Sequence, residues 1–220
     1  MIELFAAAAL LLATHYGISS TRLRAWLVAR IGERPYLVLY SLVALGAVIW
    51  LIFAYQRAPY VALWPMATWS AWLPLLVMPF ALLLLVCGVS TLNPTAVGSP
   101  DTLDQAEPAR GILRITRHPF MWGVALWALA HIVPNGDAAG VVLFGTFAVL
   151  ALLGTHLIDH KFATSRGAQW QRFLAVSSNL PFAAILAGRQ HLVPAEIGWL
   201  RVGIALALYV VLLAMHPWLF

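Results

Sequence analysis

Seven histidines are the side chains of this 220-residue chain best suited to hold a metal or to move a proton near neutral pH. His15, His131 and His156 fall within or at the ends of long apolar stretches, where an ionisable group is costly and becomes a functional candidate. A neutral histidine bonding a neighbouring helix would fall in the same places, so both readings stand. His156 and His160 share a helix face at metal-ligand spacing with Asp159 beside them. Such a cluster also marks a helix end at a headgroup boundary. In Arg117-His118-Pro119-Phe120-Met121-Trp122-Gly123, Pro119 suits the first turn of a helix, Arg117 and His118 fit the polar boundary, and Gly123 permits close helix approach. That segment reads equally as an anchor or as part of a site. His118 and His131 are separated by about 220° around one helix, so they cannot both face one iron from it. No phosphate loop, dinucleotide fingerprint, nucleophile elbow or zinc-type cysteine pattern occurs, and the single Cys87 excludes an internal disulfide.

The elements that must position these side chains are membrane helices. The chain is 62% hydrophobic and 10% charged, far from the balance of ordinary soluble domains. Windows at Ile2–Ile18, Tyr36–Tyr55, Trp72–Ser90, Pro119–Val133, Ala138–Ile158 and Gly198–Leu219 predict an all-α bundle of about six spans, the fourth short enough to need flanking turns or local bilayer thinning. The first window carries Glu3 where a signal peptide would be basic, so it reads as a retained helix. Eleven of the 13 Lys and Arg residues lie in three alternate loops, which predicts that those loops are cytoplasmic and that both termini face outward. Basic residues spread over separate loops argue for orientation signals and against nucleic acid as a partner. Thr21 or Ser20 can cap an amphipathic helix through Ile31, and another is expected around Gln169–Ala175, followed by a non-spanning apolar piece at Leu180–Leu186. The loop from Leu92 to His118, with three prolines and the acids Asp101, Asp104 and Glu107, reads as the most mobile segment. One domain, residues 1–220, is expected.

Four segments together resemble the NnrU family of bacterial membrane proteins, which includes the plant-type 15-cis-zeta-carotene isomerases. They are Thr14-His15 with Gly17-Ile18-Ser19; Ile31-Gly32-Glu33-Arg34-Pro35-Tyr36; Arg117-His118-Pro119 through Gly123; and Trp127-Ala128-Leu129-Ala130-His131 with Asn135-Gly136-Asp137. The resemblance implies a b-type haem in the bundle, with His15 and His131 as iron ligands. It also implies a bacterial inner-membrane location and a role in nitric oxide or nitrite metabolism (denitrification), with haem-dependent isomerisation known for the carotenoid branch. Besides the lipid bilayer, a small apolar ligand or a membrane partner protein fits the apolar bundle. By helix rise His15 and His131 should differ by about 15 Å in depth, so they would approach an iron from above and below. His15 with His118 or His156 is the alternative pairing. The chain is also similar to isoprenylcysteine and phospholipid methyltransferases in Arg117-His118-Pro119 and in Gly167, Trp170, Phe173 and Pro181, but carries Asp159-His160-Lys161 where those enzymes have paired acids. The residues leave open whether the protein is an enzyme.

Overall fold

The computed structural model describes residues 1–19, 21–96 and 102–219. Ser20 and Asp101, both singled out above, lie outside them. Among the described residues every regular element is helical: α1 (Ile2–Ser19), α2 (Arg22–Ile31), α3 (Glu33–Gln56), α4 (Trp72–Ser90), α5 (Pro119–Asn135), α6 (Ala138–Ser165), α7 (Gly167–Val176), α8 (Ala183–Leu186), α9 (Pro194–Ile197) and α10 (Trp199–Leu219).

Among the described residues four helices are long and apolar enough to cross a membrane: Glu33–Gln56, Thr68–Ser90, Ala138–Ser165 and Trp199–Trp218. A fifth crossing exists if α1 and α2, bent by 74° at their break, form one span. The expected total was about six. The difference lies in α5, whose 17 residues rise only about 25 Å, short of the hydrocarbon core. Side chains such as Leu42, Leu45, Val210 and Val211 are exposed along α3 and α10, as helix faces that meet lipid should be. The bend before α2 follows from its sequence. The Thr21 hydroxyl caps the new helix by accepting from Leu23 N at 3.2 Å, and Gly32, at φ +85°, ends it.

The chain divides into two compact units, each built around its own contacts. In the unit formed by residues 1–71 and 131–150, α1 and α3 run antiparallel. Glu3 accepts from Trp50 Nε1 at 3.1 Å near one end, and His15 meets the Tyr40 ring at 5.7 Å toward the other. The turn between α5 and α6 is fixed by Asp137, which caps α6 by accepting from Gly140 N at 2.9 Å and pairs as a single bridge with Ala62.

In the unit formed by residues 72–130 and 151–220, α4 and α10 are antiparallel, with Tyr209 donating to Leu75 O at 3.0 Å and Arg201 donating to Ser90 O at 3.0 Å. Helix α5 lies hard against α4. A Cβ at Gly123 would stand 2.7 Å from Leu85 Cγ and 2.9 Å from Ala81 O, so this motif glycine is required for backbone-close packing. The loop expected to be most mobile is largely packed in its second half. Leu103, Ala109, Ile112, Leu113 and Ile115 join a buried core with Trp170 and Phe173. Its prolines and acids suggested an open loop, but its apolar residues, scattered without helical period, are what fill this core.

Candidate functional site

The densest polar constellation is in the second unit and centres on Asp159, the one acid of α6. Arg117 donates from Nε to Oδ1 and Oδ2 at 2.9 and 3.1 Å, and its Nη2 also reaches Oδ2. His118 Nε2 donates to Oδ1 at 2.7 Å, and Asn179 Nδ2 approaches Oδ2 at 3.4 Å. The Asn179 amide is itself oriented, with Trp122 Nε1 donating to its oxygen at 3.1 Å and its nitrogen donating to Thr155 Oγ1 at 2.9 Å. The backbone around the motif is held as firmly. Arg117 N donates to Ser178 O at 2.9 Å, Thr95 Oγ1 donates to Arg117 O at 2.9 Å, and Thr116 Oγ1 donates to Asn179 O at 2.6 Å. Arg117 and His118, expected at an open polar boundary, are enclosed instead, with His118 only 2% exposed.

A carboxylate only accepts, so His118 Nε2 must carry the hydrogen, and Nδ1 then bears a lone pair. Burial pushes the His118 pKa down, partly offset by the bond and charge of Asp159. Because Arg117 already answers the Asp159 charge, the trio is neutral as a whole with His118 uncharged. Nδ1 is buried and finds no hydrogen-bond partner among the described residues, an uncommon state for a buried acceptor that costs about 1–3 kcal/mol.

A second ion network stands outside the apolar helices. Arg114, whose side chain is 6% exposed, donates to Glu196 from Nε at 2.8 Å and from Nη2 at 2.9 Å. The Gly111 N–H adds a bond to the same carboxylate at 2.7 Å. The hydrogen bond from Arg114, aided by that of Gly111, holds the Glu196 carboxyl down at about 2.

The histidines His15 and His131 are in the first unit. His15 Nδ1 donates to Leu11 O at 2.9 Å, and His131 stacks on Phe144 with ring centroids 5.3 Å apart. Helix α6 gives a common ruler within this unit, because Tyr16, next to His15, donates to Val149 O at 2.9 Å. Phe144 and Val149 are five residues apart, about 7.5 Å of helix rise. His156 and His160 are exposed, and among the described residues no group of three His, Cys, Asp or Glu side chains could hold a metal ion.

The remaining motif residues have packing roles. Pro119 is buried as the first residue of α5, Trp127 is half-buried, and Asn135 bonds back to the His131 carbonyl. Trp170 and Phe173, part of the methyltransferase-like pattern, are fully buried core. The sequence reading missed Asn179 and the anchoring Thr95 and Thr116. The only signal was the run Ser177-Ser178-Asn179, polar residues amid apolar ones, facing a lone helical acid.

Fold and site together describe a multi-pass helical membrane protein. The family model described as NnrU protein matches residues 3–220, and the chain belongs to that family. It is 30% identical over 169 residues to the chloroplastic 15-cis-zeta-carotene isomerase of Zea mays, covering 74% of this chain and 45% of that one. The Arabidopsis thaliana protein of the same name is 35% identical over 108 residues, covering 47% of this chain and 28% of its own length. The chain thus spans less than half the length of these curated relatives. No solved structure matches it.

Proposed function

We propose that this NnrU-family protein holds a b-type haem through His15 and His131 and acts on the geometry of a double bond in an apolar polyene. The observation that carries the reading is the bond from His15 Nδ1 to the Leu11 carbonyl, 2.9 Å long. A carbonyl only accepts, so Nδ1 carries a hydrogen, and Nε2 is the nitrogen through which the ring would take an iron. His131 lies in the same compact unit, and α6 meets its ring through Phe144 and the neighbour of His15 through Val149. The residues therefore fit a bis-histidine site, where a bound haem would supply redox-active, Lewis-acidic iron. The protein's share is to fix the tautomer through Leu11 and to seat the His131 ring against Phe144.

The substrate class rests on the carotene isomerases to which the chain is similar. A wider place in nitric oxide or nitrite metabolism, at a bacterial inner membrane, rests on the family alone. With the basic loops inside, both termini face outward, which a periplasm-active alkaline phosphatase fused at the C-terminus would report and an inactive one would refute. To test the activity, purified haem-loaded protein is incubated with 15-cis-zeta-carotene and the isomers are separated by chromatography. Conversion at the central double bond supports the reading. A haem-loaded protein that leaves the substrate unchanged removes the isomerase assignment and leaves the haem site standing.

A further inference from the structure

A cavity of about 300 Å³ lies in the second unit where α4 ends and α10 begins, with Thr91, Thr102, Gln105, Arg110, Glu196 and Arg201 in its wall. Thr91 follows the last residue of α4, and Arg201 is in the first turn of α10. Both helices are apolar enough to cross a membrane, so the cavity stands at the level where hydrocarbon gives way to headgroups. Leu92, Trp199 and Leu200, exposed beside it, suit that level.

The charges of the wall are unequally committed. Glu107 and Glu196 also border the cavity, but Arg114 engages both, at 3.1 and 2.8 Å. Arg110, with a side chain 65% exposed, comes no nearer to Glu196 than 3.8 Å. Arg201 donates to Ser90 Oγ, Ser90 O and Ile197 O. None of those partners is a carboxylate, and a guanidinium has five N–H groups, so two are left after those three bonds. An independent sign comes from Thr102. It is 4% exposed and belongs to the cavity wall, yet its Oγ1 finds no hydrogen-bond partner among the described residues. A buried hydroxyl without a partner is uncommon in a folded protein.

We propose that this cavity binds a phosphate oxyanion, held by the spare N–H groups of Arg110 and Arg201 and by the Thr102 hydroxyl. Its position at the membrane boundary makes a phospholipid headgroup one source of that group, and free inorganic phosphate is the other. Arginine supplies planar, multiple donors to phosphate oxygens, and the hydroxyl donates a further bond. The site shares no residue with the proposed haem centre, so its test is independent of that reading.

The test measures thermal unfolding of the purified full-length protein in a non-phosphate detergent, titrated with phosphatidylglycerol, with inorganic phosphate, or with diacylglycerol as a phosphate-free control. Phosphatidylglycerol should raise the melting temperature where diacylglycerol does not, and inorganic phosphate doing the same would identify the free anion as sufficient. Arg110→Gln, at an exposed side chain, should weaken the apparent affinity about tenfold. Thr102→Val removes an unsatisfied hydroxyl at nearly constant shape, so it should leave the ligand-free melting temperature unchanged or raised while weakening binding. A purely structural threonine would show the opposite sign without ligand. Equal stabilisation of wild type and both variants, or no difference between phosphatidylglycerol and diacylglycerol with no effect of phosphate, would overturn the proposal.

Discussion

The two units place their histidines in opposite surroundings. In the second, His118 is bound through Nε2 to a carboxylate that also takes Arg117 and Asn179, so its one ring bond belongs to a charged and polar network. In the first, His15 and His131 rest on a main-chain carbonyl and on aromatic faces. The first kind of arrangement makes a side chain essential to folding. The second orients an imidazole through a main-chain carbonyl or a ring contact, which suits a residue kept for ligation. A histidine in an apolar helix is therefore not one category, and its partners decide which role it plays.

Removing the centre of the polar network should have the largest effect. Asp159→Ala leaves Arg117 and the His118 N–H without their acceptor in an enclosed site, at a cost of about 3–5 kcal/mol. We expect a large fall in folded yield and melting temperature after detergent extraction. An Asp159→Ala protein as stable as the wild type would erase the contrast between the units.

Acid should weaken the second unit more gently. His118 has a folded pKa below its ordinary 6.5, so the unfolded chain takes up its proton first and stability falls as pH drops below about 6.5. Glu196, held at about 2 against an ordinary 4.5, contributes stability above 4.5 that is lost as pH falls toward 2. Melting temperatures measured at stepped pH should decline first below 6.5 and again below 4.5. His118→Gln should flatten the first decline, and a wild-type profile flat from pH 8 to 5 would contradict a neutral buried His118.

The smallest effect on stability is expected in the first unit. His131→Ala removes, among its contacts, the ring stacking with Phe144, a contact of a kind worth about 1 kcal/mol. A loss as large as that of Asp159→Ala would mean that His131 is structural after all.

Much of the fold was legible because hydrophobic windows and caps are local. The window Trp72–Ser90 coincides with α4 at both ends, and Thr21 caps α2 as its residue type suggested. The Asp159 network was only half legible. Arg117 and His118 stood out, but their acceptor is more than forty positions away, and Asn179 is farther still. The loop before α5 was read as mobile because prolines and acids are visible in sequence, whereas the core that receives Ile112 and Leu113 exists only after folding.

The central claim is that His15 and His131, and no other histidines, carry iron. The most direct measurement is the visible absorption spectrum of the purified protein reconstituted with haemin, taken for the wild type and for His15→Ala, His131→Ala, His156→Ala and His191→Ala. Our account predicts a six-coordinate low-spin Soret band in the wild type, shifted or lost in each of the first two variants and unchanged in the last two. A wild-type protein that retains no haem would contradict it, as would a spectrum indifferent to His15 and His131 but sensitive to His156.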